Sequence, residues 1–353
     1  MPLLDPHDVH TSDKFREYVE TLELGRESIL ADTPAKVRLA LIILDNAAEV
    51  FMHRLVTRLF ATDEFHSKIL PARFSKRLKR QVQWKYPEKV WFLNAEGIVS
   101  DEDALLLIAA RTHRNQAVHH DAHNPRAGRA IASLLLPVAG KLLQQCVGGV
   151  WIGLGGSDKS EWLTTYDLPT SSIDFNNATS VIIGRLSEGL PSSLSQVREA
   201  LVLDVTTRVS SLEEIRRENL HDPSAAHFDD ILRNEEFLAQ FDEQAEFPKY
   251  FKLLYTVAKG GDVDVDEYKM ERAKYEEGRR EMLRRFPPNL TEARFSQLVE
   301  FKTQLAQAET HRELIDLYQR SDEALQAYET TITSAAIRIE GTIQMHVDLA
   351  RGK

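Results

Sequence analysis

Residues 101–120 read DEDALLLIAARTHRNQAVHH, and the way this stretch folds decides the reading of the rest. Three acidic residues open it, six apolar residues from Ala104 to Ala109 follow, and it closes on two arginines, an asparagine and three histidines. Ser100 with Asp103 three residues on resembles a capping box, and the run Asp101-Glu102-Asp103 suits the positive end of a helix dipole. A helix is predicted, its first half made to pack and its second half made for chemistry. Guanidinium groups stay protonated and present forked donors, and imidazoles titrate near neutrality, so the second half suits a surface that handles phosphate.

The flanking sequence is helical too. After Ser12, a helix over about 13–30 has Phe15, Val19, Leu22 and Ile29 at apolar positions. Thr33-Pro34 is a cap followed by proline at the first helical position, and a long helix to about Phe60 carries Leu41, Leu44, Ala48, Phe51, Leu55 and Leu59 in steps of three and four. Asn124-Pro125 repeats the signal for a helix ending at Val147, before Gly148-Gly149. Four helices with short or moderate connections give an all-α, antiparallel bundle over residues 1–150.

A chain of 353 residues has room for about two domains. The one cysteine, Cys146, excludes an internal disulfide, no basic leader with an apolar segment opens the sequence, and Arg38, Asp45, Glu49, His53 and Arg54 interrupt the apolar stretch from Val37 to Phe60. The expectation is a cytoplasmic protein with no membrane partner. Net charge is −10, divided into +2 over residues 1–150 and −12 over the remainder, which argues against broad coating of nucleic acid and for two halves of different kind.

Residues 151–193 turn to Gly, Ser, Thr, Asp and Asn and read as a connector, with a short strand at Ser180 to Ile183. Its GLGGSDKS (153–160) faintly resembles a phosphate-binding loop, but Asp158 stands where glycine is needed. Beyond Leu194 helices are expected over about 194–219, 228–258 and 264–285 and, after Pro287-Pro288, from Thr291 to the C-terminus. There Leu325, Tyr328, Ile332, Ala335 and Ile339 alternate in steps that predict coiled-coil-like packing. Residues 194–353 are read as a helical regulatory, sensing or dimerisation domain, whose acidity allows it to cover a basic channel or recruit a partner such as an antitoxin.

Within the opening stretch, Arg114-Asn115-Gln116-Ala117-Val118-His119 reads R-N-x-x-x-H. This resembles the HEPN family of small helical nucleic-acid-handling domains, marked by an arginine, four to six residues and a histidine, with a polar residue, most often asparagine, after the arginine. The resemblance covers roughly residues 13–148. It implies a metal-independent endoribonuclease needing no cofactor, with RNA as partner, Arg114, Asn115 and His119 as catalytic residues and 2′,3′-cyclic phosphate and 5′-hydroxyl products. Toxins and antiviral defence effectors are common among its members. HEPN domains modified by a partner nucleotidyltransferase carry tyrosine two residues after the histidine, where this chain has Asp121.

Physically, metal-free RNA cleavage needs a base for the 2′-hydroxyl proton, a cation for the crowded phosphorus and an acid for the leaving oxygen. Asn115 and His119 share a helix face, whereas Arg114 and His119 diverge by about 140°. One helix makes a poor site, and the resemblance implies a homodimer in which two motifs line one cleft. Arg111 offers a further phosphate contact; His113, His120 and His123 read as a solvated helix end.

A second element is residues 65–92, FHSKILPARFSKRLKRQVQWKYPEKVWF, with cations interleaved with rings. Arg73, Lys76, Arg77, Lys79, Arg80, Trp84 and Lys85 are the candidate RNA contacts, since cations neutralise phosphates and flat rings stack on bases. The alternative is that the rings seal the bundle and the cations solvate its edge. Asp45, Glu49 and His53 lie on one stripe of an apolar helix, where they either support Arg114 by charge pairing or face water. Two further classes stay open: a metal phosphohydrolase of HD type, from His120-Asp121 with His53 and His123, and a non-catalytic helical interaction protein.

Overall fold

The first two helices, α1 (Ser12–Leu30) and α2 (Pro34–His66), pack antiparallel: Tyr18 stands edge-on to Phe51 at 5.0 Å, and a Cβ on Gly25 would lie 2.6 Å from Leu44 Cδ2. This is a computed structural model, and it describes residues 12–119, 124–147, 151–153, 164–168, 172–220, 246–259, 261–285 and 290–350. Thr33 Oγ1 accepts from Lys36 N at 3.4 Å, and Pro34 occupies the first turn, where its missing N–H costs nothing. Phe15, Val19, Leu22 and Ile29 of α1 and Leu41, Leu44, Ala48, Phe51 and Leu55 of α2 are buried. The second helix runs past Phe60 to His66, and the extra turns carry Asp63, whose carboxylate accepts from Arg73 N at 2.6 Å and pairs with Lys79 at 2.8 Å.

Helices α3 (Lys76–Trp84) and α4 (Tyr86–Ala95) follow, sealed by Phe60, Phe74 and Phe92, whose rings meet at 5.2 to 5.6 Å. The quoted stretch forms α5 (Asp101–His119), with Ser100 Oγ accepting from Asp103 N at 3.1 Å, and α6 (Pro125–Val147) starts on Asn124, whose Oδ1 accepts from Arg126 N at 3.0 Å. By length and composition α6 is apolar enough to cross a membrane, but most of that apolar stretch is buried against the neighbouring helices, as in a core helix.

Side-chain ties fix the directions. Arg129, early in α6, donates to Ile29 O and pairs with Asp32 beside the start of α2, whereas Cys146 and Gln145 at its end meet Phe51 and Arg58. The sixth helix is therefore parallel to α2. The pairs Glu49–Arg111 and Asp45–Arg114 run in opposite chain order, so α5 is antiparallel to α2. The C-terminus of α5 and the N-termini of α2 and α6 lie at one end of the bundle.

Strands β1 (Trp151–Gly153) and β2 (Ser172–Asp174) pair antiparallel, Ile152 opposite Ile173, and lead into α7 (Phe175–Ser187). Ser180 to Ile183, expected as a short strand, is thus helical. Asp174 caps the helix through Asn176 N at 3.0 Å, and Ala178, Ile182 and Leu186, four apart, are buried, so packing overrides the β-branched preference of Val181-Ile182-Ile183. Ile183 meets Gly140 of α6. The glycine-rich stretch after Gly153, through Ser160, lies outside the described residues.

The chain divides into two compact units, residues 1–204 with 305–319, and residues 205–304 with 320–353; the division falls inside α8 (Leu194–Leu220) and inside the last helix. Of the expected helix over 228–258, the described part is α9 (Pro248–Ala258); it pairs with α10 (Val265–Arg285), Tyr250 stacking on Tyr275 at 4.5 Å. The long section after Pro288 is broken into α11 (Leu290–Gln307) and α12 (His311–Ala350). Thr310 makes the break: its Oγ1 accepts from Glu313 N at 3.1 Å, while the Glu313 carboxylate accepts from Glu309 N at 2.8 Å, close to a capping box. In the second unit Leu325, Tyr328, Ile332 and Ala335 form the expected buried stripe, with the side chain of Ile339 outside the described residues, and Arg208 bridges Asp322 at 2.6 Å and Glu329 at 2.7 Å.

Candidate functional site

The predicted motif lies in the first unit, on α5, against a row of charged side chains on α2 that an apolar seam would not by itself accommodate. Asp45 is fully buried. Arg111 Nη1 lies 3.1 Å from its Oδ2, and Arg114 Nε lies 3.9 Å from the same oxygen. Burial pushes the Asp45 carboxyl up from 3.8 to about 6, against the opposing charges of Arg111 and Arg114. One turn on, Glu49 is hydrogen-bonded by Arg111 Nη2 and lies 3.5 Å from the buried Lys89 Nζ of α4. Burial raises the Glu49 carboxyl too, but the Arg111 bond and charge and then Lys89 outweigh it and hold it below its ordinary value. His53, a further turn along, is held below the usual imidazole range by desolvation and by the charge of Lys89.

Arg111 is the centre of this arrangement. Two carboxylates pair with its guanidinium, whose carbon lies over the Tyr86 ring 3.9 Å from the centroid, a part-buried cation–π contact. The Tyr86 hydroxyl donates to Leu107 O at 3.3 Å; burial and then the charge of Asp45 hold its proton on far above the ordinary phenol range. Arg111 therefore acts as a strut between α5, α2 and α4, and its donors face protein. Arg114 is placed differently: Nη1 donates to Asn115 Oδ1 at 3.1 Å, and its contact with Asp45 is long because the nearer cation is Arg111. Among the described residues, three cations (Arg111, Arg114 and Lys89) face two carboxylates (Asp45 and Glu49), and Arg114 is the one of the three without a carboxylate of its own. That surplus charge, part-exposed at the helix surface, is able to take an anion.

His119 closes α5; its side chain, and His120, Asp121 and His123, lie outside the described residues. Among the described residues no three His, Cys, Asp or Glu side chains gather to hold a metal ion. His113, expected at a solvated helix end, is buried and stacked on Tyr318 at 5.4 Å, and Tyr318 donates to the buried Asp204 at 2.5 Å. The signal was in the spacing: Leu106, Ala110, His113 and Ala117 step by four, three and four, and all four are buried.

The basic stretch is sorted by the fold. Phe74 and Tyr86 seal the bundle, whereas Trp84 is 82% exposed. Arg73 pairs with Glu96 at 2.8 Å, Lys79 with Asp63 at 2.8 Å, and Lys89 with Glu49, so these three cations tie the fold together. Lys76, Arg80 and Trp84 recur every fourth residue along the outer face of α3 with Arg77 beside them and Lys85 following, all exposed and none ion-paired among the described residues. Val82 anchors the opposite face in the core. The end of α3 is tied to the charge cluster, because Tyr86, two residues after Trp84, carries Arg111.

Tyr86 and Lys89 were legible only as a ring and a cation in a basic run; that they close the Arg111 cluster depends on how α4 turns back against α2. Compared with known families, curated proteins and solved structures, the chain matches none.

Proposed function

We propose that this chain is a metal-independent endoribonuclease of HEPN type, acting as a homodimer in which two copies of α5 line one cleft. The observation that carries the reading is the Arg114 guanidinium, left with surplus positive charge by a cluster whose two carboxylates are engaged by Arg111 and Lys89. A preorganised cation in a part-buried setting supplies the largest single contribution in reactions that build negative charge, and it needs no reorganisation at the moment of reaction.

The reaction is transesterification. The 2′-oxygen bonds to phosphorus while the bond to the 5′-oxygen breaks; a base takes the 2′-proton and an acid protonates the departing 5′-oxygen. His119 is assigned this proton work, Arg114 the phosphoryl oxygens, and Asn115, which accepts from Arg114 Nη1, the alignment of the guanidinium. Asp45 and Glu49 act through Arg111, holding α5 in register, so Arg111 is here a positioning residue. The outer face of α3, with Lys76, Arg77, Arg80, Trp84 and Lys85, is the route by which an RNA strand is held, phosphates on the cations and a base on the indole. A growth-arresting or antiviral role, with residues 194–353 as a regulatory segment, completes the proposal.

The test is incubation of the full-length chain with single-stranded RNA in excess chelator and analysis of the new ends. Cleavage with 2′,3′-cyclic phosphate and 5′-hydroxyl ends is expected, falling about 10²–10⁴-fold in His119→Ala and comparably in Arg114→Ala. Undiminished cleavage by both variants, or cleavage abolished by the chelator, rejects the assignment. In cells, induced wild type and Arg114→Ala would be compared by mapping RNA ends, and a cyclic-phosphate signature confined to wild type is expected.

A further inference from the structure

We infer that the turn after α2, at Ile69 and Leu70, is an apolar anchor for bases of the bound strand, at the end of the α3 path remote from Arg114; the inference rests on the RNA-binding part of the endoribonuclease reading and extends the substrate to unpaired RNA well beyond the scissile step.

The turn exposes what a folded chain ordinarily hides. Ile69 is 84% exposed and Leu70 62%, and Phe65, one helical turn earlier, is 43% exposed with Lys68 Nζ 5.8 Å from its ring centroid. Single exposed apolar residues need no account, but three neighbours on one turn make a patch. The patch is held in shape: Ile69 N and Leu70 N both donate to His66 O at 2.9 Å, Ser67 N donates to Asp63 O at 2.8 Å, and Arg73 N donates to the Asp63 carboxylate at 2.6 Å. A tip already formed loses little conformational freedom when a ligand covers it.

Charge selects the partner. Lys68 on the turn and Lys76, Arg77 and Arg80 on α3 are exposed and not ion-paired among the described residues, whereas Asp63 and Glu96 are taken by Lys79 and Arg73. Glu64 is the remaining acid of residues 63–80. The ligand is therefore an anion that also carries apolar surface, as an RNA strand and an anionic lipid layer both do. The arrangement favours the strand. Lys76, Arg80 and Trp84 repeat every fourth residue, a line leading away from the tip rather than a ring around it. Lipid also demands more apolar area: even a myristoyl chain alone binds a bilayer only marginally, and Ile69 with Leu70 offers fewer carbons. Aliphatic side chains of this kind wedge between bases, whose flat faces are apolar.

The path has a length. The third helix starts beside Asp63, through Lys79, and its end is joined to the charge cluster through Tyr86. Asp45 and His66 are about 31 Å apart along α2, so at about 3.4 Å per stacked nucleotide a strand needs about nine nucleotides to run from Arg114 to the tip. A duplex turns its base faces inward, and the anchor therefore selects unpaired RNA on one side of the cut.

The experiment uses deoxyuridine strands with a single ribouridine, the one position that attack by a 2′-oxygen can cut, and flanks of increasing length on either side. Full-length wild type, Ile69→Ser/Leu70→Ser and Ile69→Met/Leu70→Met are compared for kcat and KM, and for binding of the all-deoxy strands. Expected in wild type is a KM and a Kd each about five- to tenfold lower once one flank passes about nine nucleotides, with kcat unchanged. The serine pair loses that gain, the methionine pair keeps it, and the dependence of log affinity on log salt is the same in all three, because the phosphate contacts remain. Abasic nucleotides at the far end of the flank cancel the gain in wild type and change nothing in the serine pair. A gain that survives in the serine pair or on abasic strands, or no gain at all, overturns the inference. So does sedimentation of wild type, but not of the serine pair, with phosphatidylcholine–phosphatidylserine vesicles while both bind every strand alike, since the tip then belongs to lipid. Strands bound with the expected flank dependence but left uncut overturn the endoribonuclease assignment and leave the anchor standing.

Discussion

Replacing Asp45 by asparagine is expected to stabilise the protein at neutral pH while impairing the site it supports. The reasoning starts from the position of the carboxyl, fully buried and raised from 3.8 to about 6, with desolvation outweighing the charges of Arg111 and Arg114. A carboxyl raised in the folded state binds protons more tightly there than in the unfolded chain, so its ionisation costs stability; the cost is absent below the unfolded value and full above the folded one. With those two values the cost is about 3 kcal/mol at pH 7.5 and falls steadily towards zero as the pH drops to 4. Asparagine imitates the neutral acid in shape without titrating. Asp45→Asn should therefore unfold at higher temperature than wild type at pH 7.5, and the gap should shrink steadily as the pH falls to 4. Paired thermal melts of the full chain across that range measure the gap, and RNA cleavage by the same samples measures what the carboxylate contributes to holding Arg111 and Arg114. A variant less stable than wild type at pH 7.5, or a gap that widens in acid, means the ion pairs exceed the desolvation they require, and the account of Asp45 as a carboxylate retained at a cost to folding is wrong.

Two other outcomes follow from particular contacts. A Cβ on Gly140 would lie 2.5 Å from Ile183 Cγ1, so Gly140→Val should force α7 off α6, costing about 1–3 kcal/mol and visible as a lower melting temperature; an unchanged melt would mean the two helices do not pack as described. Removing the four exposed cations Lys76, Arg77, Arg80 and Lys85 should flatten the dependence of log affinity for single-stranded RNA on log salt by up to about 2.8. Trp84→Ala should weaken binding by about 1–3 kcal/mol, without changing stability, because the indole is exposed. Equal salt slopes in wild type and the fourfold variant would remove α3 from the RNA path.

Much of the first unit is written locally. Thr33-Pro34, Asn124-Pro125 and Ser100 mark helix starts because caps and first-turn proline act within one turn of chain, and periodic Leu, Phe and Ala mark which face turns inward. The same kind of signal, Thr310 with Glu313, broke the last helical section and was legible, though a continuous apolar pattern hid it. The strand expected at Ser180 to Ile183 failed because β-branching is a weak preference that a capping aspartate and a buried face override.

What the sequence determined by itself was the helical class, the helix carrying R-N-x-x-x-H and the presence of carboxylates on the α2 stripe. Only the tertiary structure decided which guanidinium those carboxylates hold. Arg111 and Arg114 are the same residue type three positions apart, and although the motif begins at Arg114, nothing along the chain says which of the two the carboxylates hold. Arg111 is captured because α2 brings Asp45 and Glu49, and α4 brings Tyr86, to one point from 25 to 66 residues away, and Arg114 is left over because that point lies one turn short of it. Charge sign and burial are properties of the chain and its packing together: the first is spelled in the residues, and the second exists only once distant helices exclude water from between them.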